Sequence, residues 1–123
     1  MVLWPTQSML DFWQSGVPSD LNETSYVMRL DFQNSCAYLT GDIPKETLES
    51  VIDKPCDILK VAHHGSKTGT SGEILAKAKP KVAIIQVGKN SFGHPTEEVL
   101  RMLESRGIKI LRNDRQGTIE IDK

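Results

Sequence analysis

Three histidines occur in the 123 residues. Two are adjacent: the stretch "KVAHHGSKTG", residues 60–69, puts His63 and His64 where the apolar run "DILKV" gives way to glycine, serine and lysine. The third, His94, precedes a proline in "GKNSFGHP", and an aspartate, Asp42, closes "TGD". Each cluster follows a strand-like apolar run, and sites in open α/β sheets gather at the carboxyl ends of strands. A neutral imidazole and a carboxylate suit zinc, manganese or iron, and a carboxylate has two oxygens with which to bridge two ions. Metal chemistry is the sharp expectation. Plainer readings stand beside it. Asp42 sits where a helix N-cap belongs, one of the paired imidazoles could bond a backbone carbonyl, and His94 could be a turn residue before Pro95. Ser66, Lys67 and Thr68 could cradle a phosphate or form a solvated loop. Spacing alone does not choose among these.

The elements that must position these residues follow from periodicity and turn chemistry. The first two dozen residues read as irregular, with a short strand near Met1–Trp4. "SYVMRLDF" alternates, "QNS" turns and "CAYLTG" returns, which predicts a hairpin. In "DIPKETLESVI", Asp42 as cap, Pro44 in the first turn, and Leu48, Val51 and Ile52 at helical spacing predict a helix. A short buried strand is expected over residues 57–62. Thr70 with Glu73 then offers a capping box for "SGEILAKAK", which Pro80 ends. "KVAIIQVG" reads as a strand covered on both faces. Thr96 caps "TEEVLRMLESRG", Gly107 stops it, and "IKILR", turn "NDRQG" and "TIEID" form a last strand pair.

The order β-β-α-β-α-β-α-β-β predicts a layered α/β sheet with right-handed crossovers. It also carries a conflict. "VAIIQV" asks for cover on both faces, whereas three helices fall on one, so an apolar face is left for something to bind.

Length, 38% hydrophobic and 25% charged residues fit one soluble domain. A net charge of −1 supplies no global field for nucleic acid or anionic membrane and leaves only local basic patches. No stretch approaches the roughly 20 apolar residues of a membrane helix, and the N-terminus lacks signal-peptide order. Cys36 and Cys56 have no CxxC spacing and are expected to be reduced structural thiols.

Taken in order, "SYVMRLDF…CAYLTGDIPKETLE…DILKVAHHGSKT…PKVAIIQVGKNSFGHPTEEVLRMLESRGIKILRND…GTIEI" resembles the C-terminal half of the metallo-β-lactamase-like domain of the ComEC DNA-uptake competence family and its free-standing relatives. The similarity runs from about Leu3 to the end. It implies an αββα sandwich of which residues 1–123 form one half, a single mixed sheet with helices on one face, the uncovered face being the seam. It implies that Asp42 bridges two divalent ions, zinc or manganese, and that His64, directly before glycine, is the last ligand. His63 and His94 fall at catalytic positions, and Asn90, Ser66 and Ser25 toward the substrate. The reaction implied is metal-assisted hydrolysis of a phosphodiester, single-stranded DNA or another.

The superfamily's HxHxDH motif and a further lone ligand histidine are absent from this chain. The isolated polypeptide is therefore expected to be metal-poor and inactive, with the missing N-terminal half as its partner. The second reading is a non-catalytic interaction module that dimerises, or completes a partner, through the exposed sheet. The chain is expected to be soluble as given, with a parent held at a membrane if it is of the competence type.

Overall fold

The computed structural model describes residues 1–122. Six strands form one sheet in the order β1-β2-β3-β4-β5-β6. Strand β2, Val27–Phe32, and β3, Ser35–Leu39, make the expected hairpin, with Phe32 opposite Ser35 and a tight turn at Gln33 and Asn34. Gln33 adopts φ 48, the left-handed region that two-residue hairpin turns use. Strand β1, Val2–Trp4, adds antiparallel to β2. From β3 onward the pairing is parallel, through β4, Ile58–Lys60, β5, Val82–Ile85, and β6, Lys109–Arg112.

Each parallel step moves to the next neighbour in the same direction, and right-handed crossovers then send every connecting helix to the same side. The buried core agrees. Leu48 and Ile52 from α2, Lys45–Val51, with the residue that follows it, Ile74, Leu75 and Ala78 from α3, Gly72–Ala78, and Val99 and Leu103 from α4, Glu97–Glu104, pack in one cluster with Tyr38, Leu59, Ala83 and Ile85 of the sheet.

None of these three crossover helices packs on the opposite face. Leu30 and Phe32 stand 45% and 38% exposed there. Met28, Ala37, Leu39, Ile58 and Ile84 line a concave groove of about 700 Å³ on it. The conflict read from the sequence is real: the sheet is apolar on two faces and helix-covered on one.

Several local expectations are corrected. A helix, α1, Gln7–Trp13, forms in the opening region, capped by Thr6, whose side chain accepts from the Met9 N–H. Trp13 meets Trp4 edge-on at 6.0 Å, and α1 buries no residue fully, so its apolar period was too weak to read. Asp42 caps nothing: Pro44 is the N-cap of α2, with no side-chain hydrogen bond. Ser71, not Thr70, caps α3 by accepting from Ile74 N–H; the buried Thr70 hydroxyl finds no partner among the described residues. "NDRQG" is a one-turn helix, α5, Asn113–Gln116, and "TIEID" is no strand. Its Ile119 and Ile121 line the groove of the open face instead, with Ile121 still 43% exposed. The cysteines, expected to be reduced, are joined: Cys36 of β3 and Cys56 before β4 form a disulfide, since parallel neighbours bring their Cα atoms to 5.3 Å. No helix among the described residues is long and apolar enough to cross a membrane.

The one-sided core sets a mutational contrast. Leu103→Ala should lower the free energy of unfolding in urea by about 2–5 kcal/mol. Leu30→Ala, on the uncovered face, should change it by about 0.5 kcal/mol or less.

Candidate metal centre at the carboxyl ends of the strands

Asp42 follows β3, the two adjacent histidines follow β4, and His94 lies in the loop after β5. Because β3, β4 and β5 are parallel neighbours, roughly 4.8 Å apart, their exits stand side by side. Residues more than 50 positions apart in sequence are thereby delivered to one edge.

Backbone contacts then knit the three loops together. The Gly41 carbonyl accepts from the His63 N–H at 3.0 Å and from the Lys60 ammonium at 3.3 Å. The Thr96 N–H donates to the Gly65 carbonyl at 3.1 Å. A Cβ on Gly65 would stand 2.5 Å from Cβ of Pro95, and Gly65 itself has φ +82. Only glycine lets the "HHG" and "GHP" loops approach so closely. His63 and His64 both adopt left-handed backbone, φ 51 and 56, at a cost of about 1–2 kcal/mol each. Two consecutive non-glycine residues in that region persist only where their surroundings fix them, which is common at functional sites.

The strain aims the rings. His64 Nδ1 lies 2.6 Å from the Gln86 carbonyl oxygen. A carbonyl can only accept, so Nδ1 carries the hydrogen and Nε2 is the nitrogen turned toward Asp42. Nε2 and Asp42 Oδ1 are 3.7 Å apart. That exceeds a hydrogen bond and suits two donors each about 2.1 Å from one shared zinc-sized cation. A ligating histidine with its other nitrogen on a backbone carbonyl is the usual arrangement at protein metal sites. The donor set therefore fits a metal, but as part of a shell: no group of three or more His, Cys, Asp or Glu side chains converges as a metal cage among the described residues.

The other two rings flank this pair. His63 meets His64 at 6.3 Å and His94 at 5.7 Å, both edge-on, and Phe92 stacks on His94 at 5.8 Å. Desolvation, helped by the neighbouring charges of His63 and His64, pushes the His94 pKa below its ordinary value of 6.5. His94 is thus biased toward the neutral form near neutral pH.

The residues expected at the substrate are engaged in building the site. The Ser25 hydroxyl accepts from the Asp42 N–H at 3.2 Å and so places the carboxylate. Asn90 uses its whole amide on its own loop: its nitrogen donates to the Gly88 and His94 carbonyls, and its oxygen accepts from the Phe92 and His94 N–H groups. Ser66 is 6% exposed, and its hydroxyl accepts from the Thr68 N–H and meets the Thr68 hydroxyl. It is turned into its own loop. Lys60, Gly41, Gly65 and the Gln86 carbonyl were not foreseen. A lysine inside an otherwise apolar strand was the available signal for the first, and glycines abutting polar clusters for the next two. A backbone acceptor leaves no mark on a sequence.

No protein-family model matches the chain. Over 108 residues it is 39% identical to ComE operon protein 3 of Bacillus subtilis, a match covering 84% of this chain and 14% of that protein. The chain is a relative of competence proteins. It is 34% identical over 107 residues to Competence protein ComA of Neisseria gonorrhoeae, 82% of this chain and 16% of that one. It is also 36% identical over 86 residues to Recombination protein 2 of Haemophilus influenzae, 67% and 11%. The chain thus spans about a seventh of the length of the curated relatives it matches.

Two outcomes follow from the site's construction. Gly65→Ala should cost more than about 1 kcal/mol of stability and shift the side-chain resonances of His63 and His94 together, read by urea titration and histidine-detected NMR. For His94, the folded pKa lies below the unfolded one, so the unfolded chain binds the proton more readily. Stability should fall as pH drops through about 6.5. The fall should be shallower in His94→Gln than in the parent chain, compared by urea midpoints between about pH 7.5 and 5.5.

Proposed function

We propose that the chain is the C-terminal half of a dinuclear-metal hydrolase domain that cuts phosphodiesters in DNA uptake, in a parent held at the membrane, and that it is inactive by itself. The observation that carries this reading is the His64 Nε2 to Asp42 Oδ1 separation of 3.7 Å with Nδ1 committed to the Gln86 carbonyl. The competence and recombination names of the relatives point to nucleic acid as the substrate class.

Asp42 and His64 would hold the ions, zinc or manganese, from one side, and the sheet layer that covers the open face would supply the remaining ligands. Bound ions of this kind lower the pKa of water and neutralise charge developing on a phosphoryl oxygen. The chain's own residues contribute orientation and a proton site. Ser25 fixes the Asp42 backbone, the Gln86 carbonyl fixes the His64 tautomer, and Phe92 shields one face of His94. A His94 ring that is neutral near pH 7 can accept a proton as a general base.

A second reading draws support from the open face, where Leu30 and Phe32 are left exposed. In it the half-fold is a non-catalytic module that dimerises or completes a partner through that face.

The test uses a completed domain: this chain co-expressed with the segment of the Bacillus subtilis relative that precedes the matched stretch. With zinc or manganese present, the complex should cleave fluorescently labelled single-stranded DNA. Asp42→Ala or His64→Ala should lower metal content and slow cleavage by about 100-fold or more, since even supporting residues around metal ligands are worth about 10–100-fold. Unchanged metal content and rate in Asp42→Ala would sink the hydrolase reading.

A further inference from the structure

Lys60 is unused by the chemistry above. It lines the open-face groove with the apolar Ala37, Leu39, Ile58 and Ile84 and, at the strand exits, Asp42. Its ammonium reaches the Gly41 carbonyl, and none of the ion pairs among the described residues includes it. Burial already pushes its pKa below the ordinary lysine value, and the attraction of Asp42 offsets this only in part.

An apolar layer laid over the face would strip the remaining water from this ammonium. A cation buried without a counter-charge is strongly disfavoured. Asp42 attracts this ammonium but forms no ion pair with it; its contact is with His64 Nε2. A second copy of the chain fits poorly as the cover. It brings one further Lys60 for each Asp42, the one acid among the described residues that line the groove, and so supplies no surplus carboxylate. The curated relatives, roughly five to six times as long as this chain, have ample sequence for a separate layer.

We propose that the open face docks an apolar β-sheet layer that presents one carboxylate to Lys60. The inference rests on reading the chain as half of a layered domain. The carboxylate selects the partner and its register: an apolar sheet without it leaves Lys60 uncompensated, and a sheet shifted by one strand places it wrongly. Interfacial charges act in this way on specificity.

The experiment uses the same preceding segment of the Bacillus subtilis relative, co-expressed with this chain, and measures affinity by calorimetry and stoichiometry by light scattering. The parent chain and Lys60→Arg should form a 1:1 complex. Lys60→Met should bind about 30-fold or more weakly, as for loss of one partner of a buried charge pair. Lys60→Glu should bind more weakly still and be restored by one Asp→Lys or Glu→Lys change in the partner. Circular dichroism should find all three variants folded, since the side chain lies on the uncovered face. Equal affinity for Lys60→Met, or no complex with the parent chain, would overturn the proposal. Lys60-dependent binding with metal content and cleavage indifferent to Asp42→Ala would leave the docking proposal standing and remove the hydrolase reading.

Discussion

The geometry of this protein depends on one topological constraint: four parallel strands laid down in sequential order, with crossovers of a single hand. Sequential order sends α2, α3 and α4 to the same face and brings the exits of β3, β4 and β5 to the same edge. The polar loops converge for the same reason that the opposite face receives no crossover helix. Site and seam are two outcomes of one chain path, and the groove that runs along the bare face has Ser25, Asp42 and Gln86 among its lining.

Convergence alone would leave three mobile loops. Their fixed geometry comes from close backbone approach at two glycines and from buried apolar neighbours beneath. Gly41 has φ +53, and a Cβ there would sit 3.0 Å from Ser25 Cβ. Ser25 can therefore reach the Asp42 N–H only while position 41 lacks a side chain. Thr40, wholly buried, donates to the Lys60 carbonyl at 2.6 Å and ties the end of β3 to the end of β4. These contacts offset the left-handed conformations of His63 and His64, whose cost would otherwise relax the loop and turn the rings away. Helix-side packing of Val61, Ala62 and Ile85 holds the platform. Stability and site geometry thus rest on the same residues.

Much of this was legible in the sequence, and the failures have physical causes. The hairpin, the three crossovers and the bare face follow from alternation, apolar runs and caps, because those patterns are dictated by burial on a regular lattice. Thr96 caps α4 as its type and position predict. Asp42 was ambiguous for a chemical reason, since the same carboxylate that caps a helix can bind a cation. Pro44 took the N-cap position and left the side chain of Asp42 free to face His64. The last strand failed because a strand needs a ladder partner that alternation cannot promise; Ile119 and Ile121 line the groove of the open face instead. Ser66 and Asn90 bond within their own loops, as short polar side chains in tight turns do, and spacing alone does not show which backbone groups they reach. The disulfide depended on a register between β3 and β4 that spacing does not encode.

In the proposed metal centre, His64 carries its hydrogen on Nδ1 and turns Nε2 toward Asp42, so that the two would share a cation. Nitrogen-15 NMR of the histidine rings, recorded during titration with zinc at millimolar concentration, tests this most directly. His64 should show the Nδ1–H tautomer before metal is added, and then a joint shift of its Nε2 and the Asp42 carboxyl carbon. An Nε2–H tautomer, or zinc shifts that bypass Asp42, would contradict it.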